Sequence, residues 1–191
     1  PVSVFAPPCF TPGTRIRTPA GSRPIETLAP GDLVDTIDHG PRPLRWIGRR
    51  TVDGTGEFAP VRIAKDALGN YRALVVSPQH RMLVSGWQAE VLFGAAEVLV
   101  AALHLVGRPG ITRTPVAEVE YIHLLFDDHE IIFAEGAASE SFHPGSILLE
   151  GDRALYAEIM SIFPGLAARV HCDLPAARPV VSGREARILA C

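Results

Sequence analysis

Cys9-Phe10-Thr11-Pro12-Gly13-Thr14-Arg15-Ile16-Arg17-Thr18-Pro19-Ala20-Gly21 opens on a thiol, crosses a Pro-Gly turn, runs through an alternating segment and ends in a second turn. A period of two sends successive side chains to opposite faces, which is the pattern of a half-buried strand. The same pattern continues along the chain. Seventeen Gly and seventeen Pro divide it into short runs rich in β-branched and aromatic residues, an all-β signature. Strands are expected at residues 14–18, 32–36, 44–51, 60–63, 74–76, 82–84, 119–126 and 131–133. Turn signals separate them at Pro19-Ala20-Gly21, Ala29-Pro30-Gly31, His39-Gly40-Pro41, Leu68-Gly69-Asn70 and Ala134-Glu135-Gly136.

Residues 94–106 have a helical composition but carry β-branched residues that oppose it, so both states stay open there. Beyond Pro144-Gly145 the period changes. Leu155, Ile159 and Ile162 fall at i, i+4 and i+7, Asp152 can cap the start, and Pro164-Gly165 ends the run. One amphipathic helix is therefore expected over residues 152–163. Residues 180–188 fit either a further strand or a surface helix.

The 191 residues, 47% hydrophobic, suffice for one domain with a sizeable core. A net charge of −3 with arginines spread along the chain gives no basic footprint, so no nucleic-acid partner is expected. The longest apolar stretches, such as residues 98–103, fall far short of the roughly 20 residues a bilayer requires, so no membrane partner is expected either. Residues 1–8 lack the charged start and apolar core of a secretion signal. Cys9, Cys172 and Cys191 leave at least one thiol unpaired, and no two ligand residues stand at zinc-finger spacing, so neither metal nor other cofactor is expected.

Cys9 is set apart by its context. The stretch quoted above is followed by Pro24-Ile25-Glu26-Thr27-Leu28-Ala29-Pro30-Gly31-Asp32-Leu33-Val34. Together they resemble the N-terminal splicing motif of inteins and the start of the hedgehog autoprocessing domain, where the cysteine is the first residue. Ser77-Pro78-Gln79-His80 is similar to the Thr-x-x-His motif of those families. Residues 119–136, with His129 ahead of Phe133-Ala134-Glu135-Gly136, resemble their C-terminal strand pair. Three likenesses in the right order, across residues 9–145, identify the chain as similar to a Hint domain of the bacterial intein-like autoprocessing group.

The resemblance implies a mainly β fold, a horseshoe of short antiparallel strands, here with one C-terminal helix. It divides the chain into an upstream flank at residues 1–8, a Hint domain at 9–145 and a helix and tail at 146–191. It also implies a reaction. The Cys9 thiolate attacks the Pro8 carbonyl, converts the Pro8–Cys9 amide to a thioester, and water or a small thiol or amine resolves it. The substrate is the domain's own N-terminal flanking polypeptide. His80 is implied as the general acid near the Cys9 amide nitrogen, and Ser77 as the hydroxyl that holds that amide or the developing oxyanion. His129 is open to two readings, a catalytic aid or a turn histidine among Asp127, Asp128 and Glu130. His123 reads as a core histidine in an apolar strand, and Trp46 and Trp87 as core or rim aromatics.

The departures are informative. Inteins release their downstream side through a terminal His-Asn pair, whereas the only asparagine here is Asn70, inside a turn. Full splicing is not expected. Asp66 is a conceivable counterpart of the aspartate that activates sterol in hedgehog domains, but its short spacing to Ser77 favours a surface residue. A catalytically silent Hint fold serving as an interaction module is the alternative. The group's parents are often secreted, and the location of this chain stays open.

Overall fold

The computed structural model describes residues 8–143, 157 and 175–186. The alternation of the opening stretch becomes β1 (Arg15–Thr18), with Ile16 and Thr18 turned inward and Arg15 and Arg17 outward. It pairs with β2 (Gly21–Pro24) and, through Ile16 and Ala134, with β12 (Ile131–Ala134). Next come β3 (Leu33–Thr36), β4 (Gly40–Pro43), the long β5 (Trp46–Asp53), β6 (Val61–Ile63), β7 (Leu74–Val76) and β8 (Arg81–Ser85). Helix α1 (Trp87–Phe93), β9 (Glu97–Ala101), α2 (Ala102–Leu105), β10 (Ile111–Arg113), β11 (Glu118–Leu125) and β13 (Ala137–Glu140) complete the β portion. A short α3 (Gly183–Ala186) lies near the C-terminus.

Every strand pairing among the described residues is antiparallel, in three sheets. The largest runs β2-β1-β12-β13-β8-β9, with β3 and β4 joined to β12. A second runs β10-β6-β7, and β5 and β11 form a separate ribbon paired along their full length, from Asp53 with Glu118 to Trp46 with Leu125. The inward faces of these sheets supply a continuous apolar core that includes Ile16, Val34, Val61, Ile63, Leu74, Val76, Met82, Val98, Val100, Ile122 and Ile132. Each such side chain contributes about 1.5–3 kcal/mol on burial.

All eight expected strands are present. Five more are present among the described residues, of which β2, β4 and β13 were hidden by their composition. β2 begins at Gly21 and ends at Pro24, and β4 holds Gly40-Pro41 and Pro43, residues that read as turns. Both strands lie at an edge of the sheet, where a missing N–H costs no ladder bond. β13 is built from Ala137, Ala138, Ser139 and Glu140, none of them β-branched, and it is imposed by the hairpin turn at Glu135-Gly136. Both turn residues have positive φ, 50° and 90°, the hand that suits a two-residue hairpin. The ambiguous residues 94–106 split, with β9 taking the β-branched part and α2 the rest. The ambiguous residues 180–188 also split: Val180 bridges to Leu99 on β9, and α3 follows. The helix expected over residues 152–163 lies outside the described residues, apart from the helical Ala157.

Candidate active site

Cys9 and Phe10 lie between two sheets. Phe10 bridges Val76 at the end of β7 on one side and Ile122 in β11 on the other. It exchanges both backbone hydrogen bonds with Ile122, at 2.9 and 2.8 Å. The N-terminal segment thus joins the three-stranded sheet to the ribbon, and Cys9 is buried at the seam, 1% exposed.

Ser77 grips Cys9 twice. The Cys9 N–H donates to Ser77 Oγ at 3.0 Å, and the Ser77 N–H donates to the Cys9 carbonyl at 3.0 Å. Ser77 lies just past β7 and is fully buried, so its hydroxyl has no solvent alternative. The implied contact between Ser77 and the Cys9 amide is therefore present in the geometry.

The thiol side of the site is formed by β11. His123 Nδ1 lies 3.0 Å from the Pro8 carbonyl oxygen. Cys9 Sγ lies 3.4 Å from the same nitrogen and 3.6 Å from Nε2. Nearly equal distances to both nitrogens place the sulfur by the Cε1 edge or the face of the ring, off either lone-pair axis. Two positions earlier on the same face of β11, Tyr121 packs against Cys9, and its hydroxyl donates to the Phe58 carbonyl at 2.7 Å. Burial and the nearby Cys9 both push the Tyr121 phenol above its ordinary range.

His123 is more than the core histidine its apolar strand suggests. It is buried, as that reading requires, but it touches both the sulfur and the carbonyl before it. Trp46 stacks on it at 6.2 Å and 21°, and Phe142 meets it edge-on at 5.0 Å. Gly48, opposite His123 in the β5–β11 register, makes room for this arrangement. A Cβ there would come within 2.0 Å of the Trp46 indole. The available signal was a histidine inside a β strand two residues after a tyrosine, but no spacing rule links it to Cys9, 114 positions away. Trp87, by contrast, is 71% exposed and belongs to neither core nor rim.

His80 sits beneath Phe10, ring centroids 4.3 Å apart, in the turn where its N–H donates to the Ser77 carbonyl. Its ring nitrogens are buried and meet no hydrogen-bonding partner among the described residues. Burial lowers its pKa to about 4, against the pull of Glu140 in the other direction. At neutral pH it is a neutral imidazole, one donor and one acceptor, rather than an imidazolium.

His129 lies in a different network. Its Nδ1 accepts the Ala177 N–H at 3.0 Å, which leaves the ring proton on Nε2, 3.2 Å from Glu140 Oε2. The buried Glu140 also accepts from the Arg81 N–H at 2.9 Å and pairs with Arg81 Nη1 at 3.1 Å. Burial opposes the charge of Glu140, but the hydrogen bond from His129 and the charge of Arg81 hold its carboxyl below the ordinary range. Asp66 is exposed, with φ of 67° in a surface turn. Asn70 closes that turn: its buried amide donates to the Ile63, Ala64 and Arg72 carbonyls and accepts from the Leu68 N–H.

The fold and the seam define a class: a small β domain whose buried thiol shares one imidazole with the carbonyl of the residue before it. A model of the Hint domain matches residues 8–146, and the chain belongs to that family, whose members are in general autoprocessing domains. Among solved structures it is similar to the AceL NrdHF class 3 split intein, at 17% identity and a TM-score of 0.49, covering 70% of this chain and 97% of that one. It is similar also to the Msm DnaB1 intein splicing domain bound with zinc, at 15% and 0.46, covering 70% and 99%. The bacterial intein-like domain from Clostridium thermocellum aligns at 14% and 0.43, covering 71% and 98%. No curated protein matches the chain.

Proposed function

We propose that this domain cleaves its own chain at the Pro8–Cys9 bond by an N-to-S acyl shift and does not splice. Cys9 Sγ attacks the Pro8 carbonyl carbon, the carbonyl oxygen takes up charge, and the Cys9 nitrogen leaves as an amine. The product is a thioester between the flank and the thiol, which water or a small thiol or amine then resolves. Ser77 holds the departing amide through its hydroxyl. His80, one turn on and with uncommitted ring nitrogens, is suited to carrying a proton to that amine. His129 acts at one remove, through the Glu140 charge that His80 feels.

The observation that carries this reading is the meeting of the Pro8 carbonyl oxygen and Cys9 Sγ at one buried imidazole, at 3.0 and 3.4 Å. Cleavage without splicing is supported by Asn70. The only asparagine in the sequence is fixed by hydrogen bonds in a turn, and so is not placed to cyclise at a downstream junction.

Intact mass, followed with and without dithiothreitol or hydroxylamine, tests the proposal. The expected result is loss of residues 1–8, accelerated by either nucleophile and abolished by Cys9→Ala, with His80→Ala slower by about 10²–10⁴-fold. An unchanged mass under every condition marks an inert interaction module instead.

A further inference from the structure

The geometry points to His123 as a catalytic residue with two functions in the acyl shift: Nδ1–H binds the oxyanion formed at Pro8, and Nε2 takes the proton of the Cys9 thiol. This rests on the proposed cleavage at Pro8–Cys9. The first function follows from what a carbonyl can do. The Pro8 oxygen only accepts, so a hydrogen bond at 3.0 Å places the proton on Nδ1. In a neutral ring that puts the lone pair on Nε2, 3.6 Å from Cys9 Sγ, and the thiol, which lies off that axis, must turn toward it to give up its proton. One imidazole then supplies both an electrophilic contact to the carbonyl and a base for the nucleophile.

The step balances. The S–H proton passes to Nε2 while sulfur bonds to the Pro8 carbon and the carbonyl π electrons move to oxygen. The resulting oxyanion is held by Nδ1–H and collapses. The C–N bond to Cys9 breaks as the nitrogen takes one proton from His80, and His123 then gives up the one it took from sulfur to restore His80, so no net proton is gained or lost. No oxidant, metal or second substrate is consumed.

The ring is fixed for this work. Trp46 stacks on it, Phe142 meets it edge-on and packs against the same indole at 6.2 Å, and Gly48 opposite leaves space for that indole. An oxyanion donor held in place before charge develops is worth far more than one that must reorient. The titratable groups near it include Cys9, Tyr121 two positions earlier on β11, and His80, which feels its charge.

Two substitutions separate the functions. His123→Asn keeps an amide N–H near the position of Nδ1 and removes the base, whereas His123→Ala removes both. Cleavage of the full chain is followed by intact mass from about pH 6 to about pH 9, spanning the ordinary thiol range. His123→Asn is expected to slow cleavage roughly 10²–10⁴-fold at neutral pH and to recover about tenfold per pH unit, as hydroxide replaces the base. His123→Ala is expected to be slower by a further ~10²–10³-fold at every pH. Coincident profiles for the two variants, or an Ala variant as fast as the unaltered chain, overturn the assignment while leaving Cys9 cleavage intact. Cleavage that survives Cys9→Ala, or no cleavage in the unaltered chain, overturns the proposed function itself.

A second measurement does not depend on rate. In the uncleaved Cys9→Ala chain, ¹⁵N spectra of labelled histidine are expected to show His123 protonated at Nδ1 and bare at Nε2. The opposite tautomer overturns the assignment.

Discussion

His80 makes the fold sensitive to mild acid. The folded domain holds its imidazole neutral down to about pH 4, because burial opposes the charge, while an unfolded chain protonates the same ring below the ordinary value of 6.5. Between those limits the unfolded state binds the extra proton. Stability that is fully present above pH 6.5 is therefore lost progressively as the pH falls toward 4. The gap corresponds to about 3 kcal/mol over the whole window, of which about 2 kcal/mol is gone by pH 5.

Keeping the measurement at or above about pH 5 leaves out Glu140, whose depressed carboxyl loses its contribution only below the ordinary carboxylate range. The perturbation is His80→Leu in a Cys9→Ala background, so that no cleavage alters the chain during the experiment. The assay is urea unfolding at pH 7 and at about pH 5, with ΔG from linear extrapolation. The parent is expected to lose about 2 kcal/mol more than the His80→Leu chain across that interval. Equal losses in both would show that His80 titrates normally when folded, and the claim that burial keeps it neutral would fall.

Gly48→Ala forces a Cβ to within 2.0 Å of the Trp46 indole. The expected cost is about 1–3 kcal/mol, together with slower cleavage because the ring stacked on His123 must move; a melt and a mass time course measure the two. Glu140→Gln leaves Arg81, itself part-buried, facing an uncharged partner at the fully buried Glu140 position. A loss of about 3–5 kcal/mol in urea unfolding is expected, and a change below about 1 kcal/mol would show that water reaches the pair.

The fold was legible where burial follows the side-chain period, as in β1, where Ile16 and Thr18 face inward and the arginines do not. It was illegible where tertiary structure imposed a strand on neutral composition. β13, with two alanines and a serine, pairs because a positive-φ hairpin folds it back onto β12. At the site, Cys9 and Ser77 could be matched by motif, and they meet through two hydrogen bonds. His123 could not. Its contact with Cys9 depends on the β5–β11 ribbon closing over the N-terminal segment, a relation between distant residues that no local pattern encodes. The pKa of His80 is another property of the assembled core, since it depends on what surrounds the ring and not on its neighbours in sequence.

The Phe10 bridges have a consequence for timing during synthesis. A ribosome makes the flank and Cys9 first, but the strand carrying Ile122 and His123 emerges more than 100 residues later. Until then the thiol has neither the sheet edge that holds it nor the imidazole beside it. On the proposed reaction, a nascent chain would keep its flank uncut at least until that strand has emerged, and cleavage would wait on the segment that carries the imidazole.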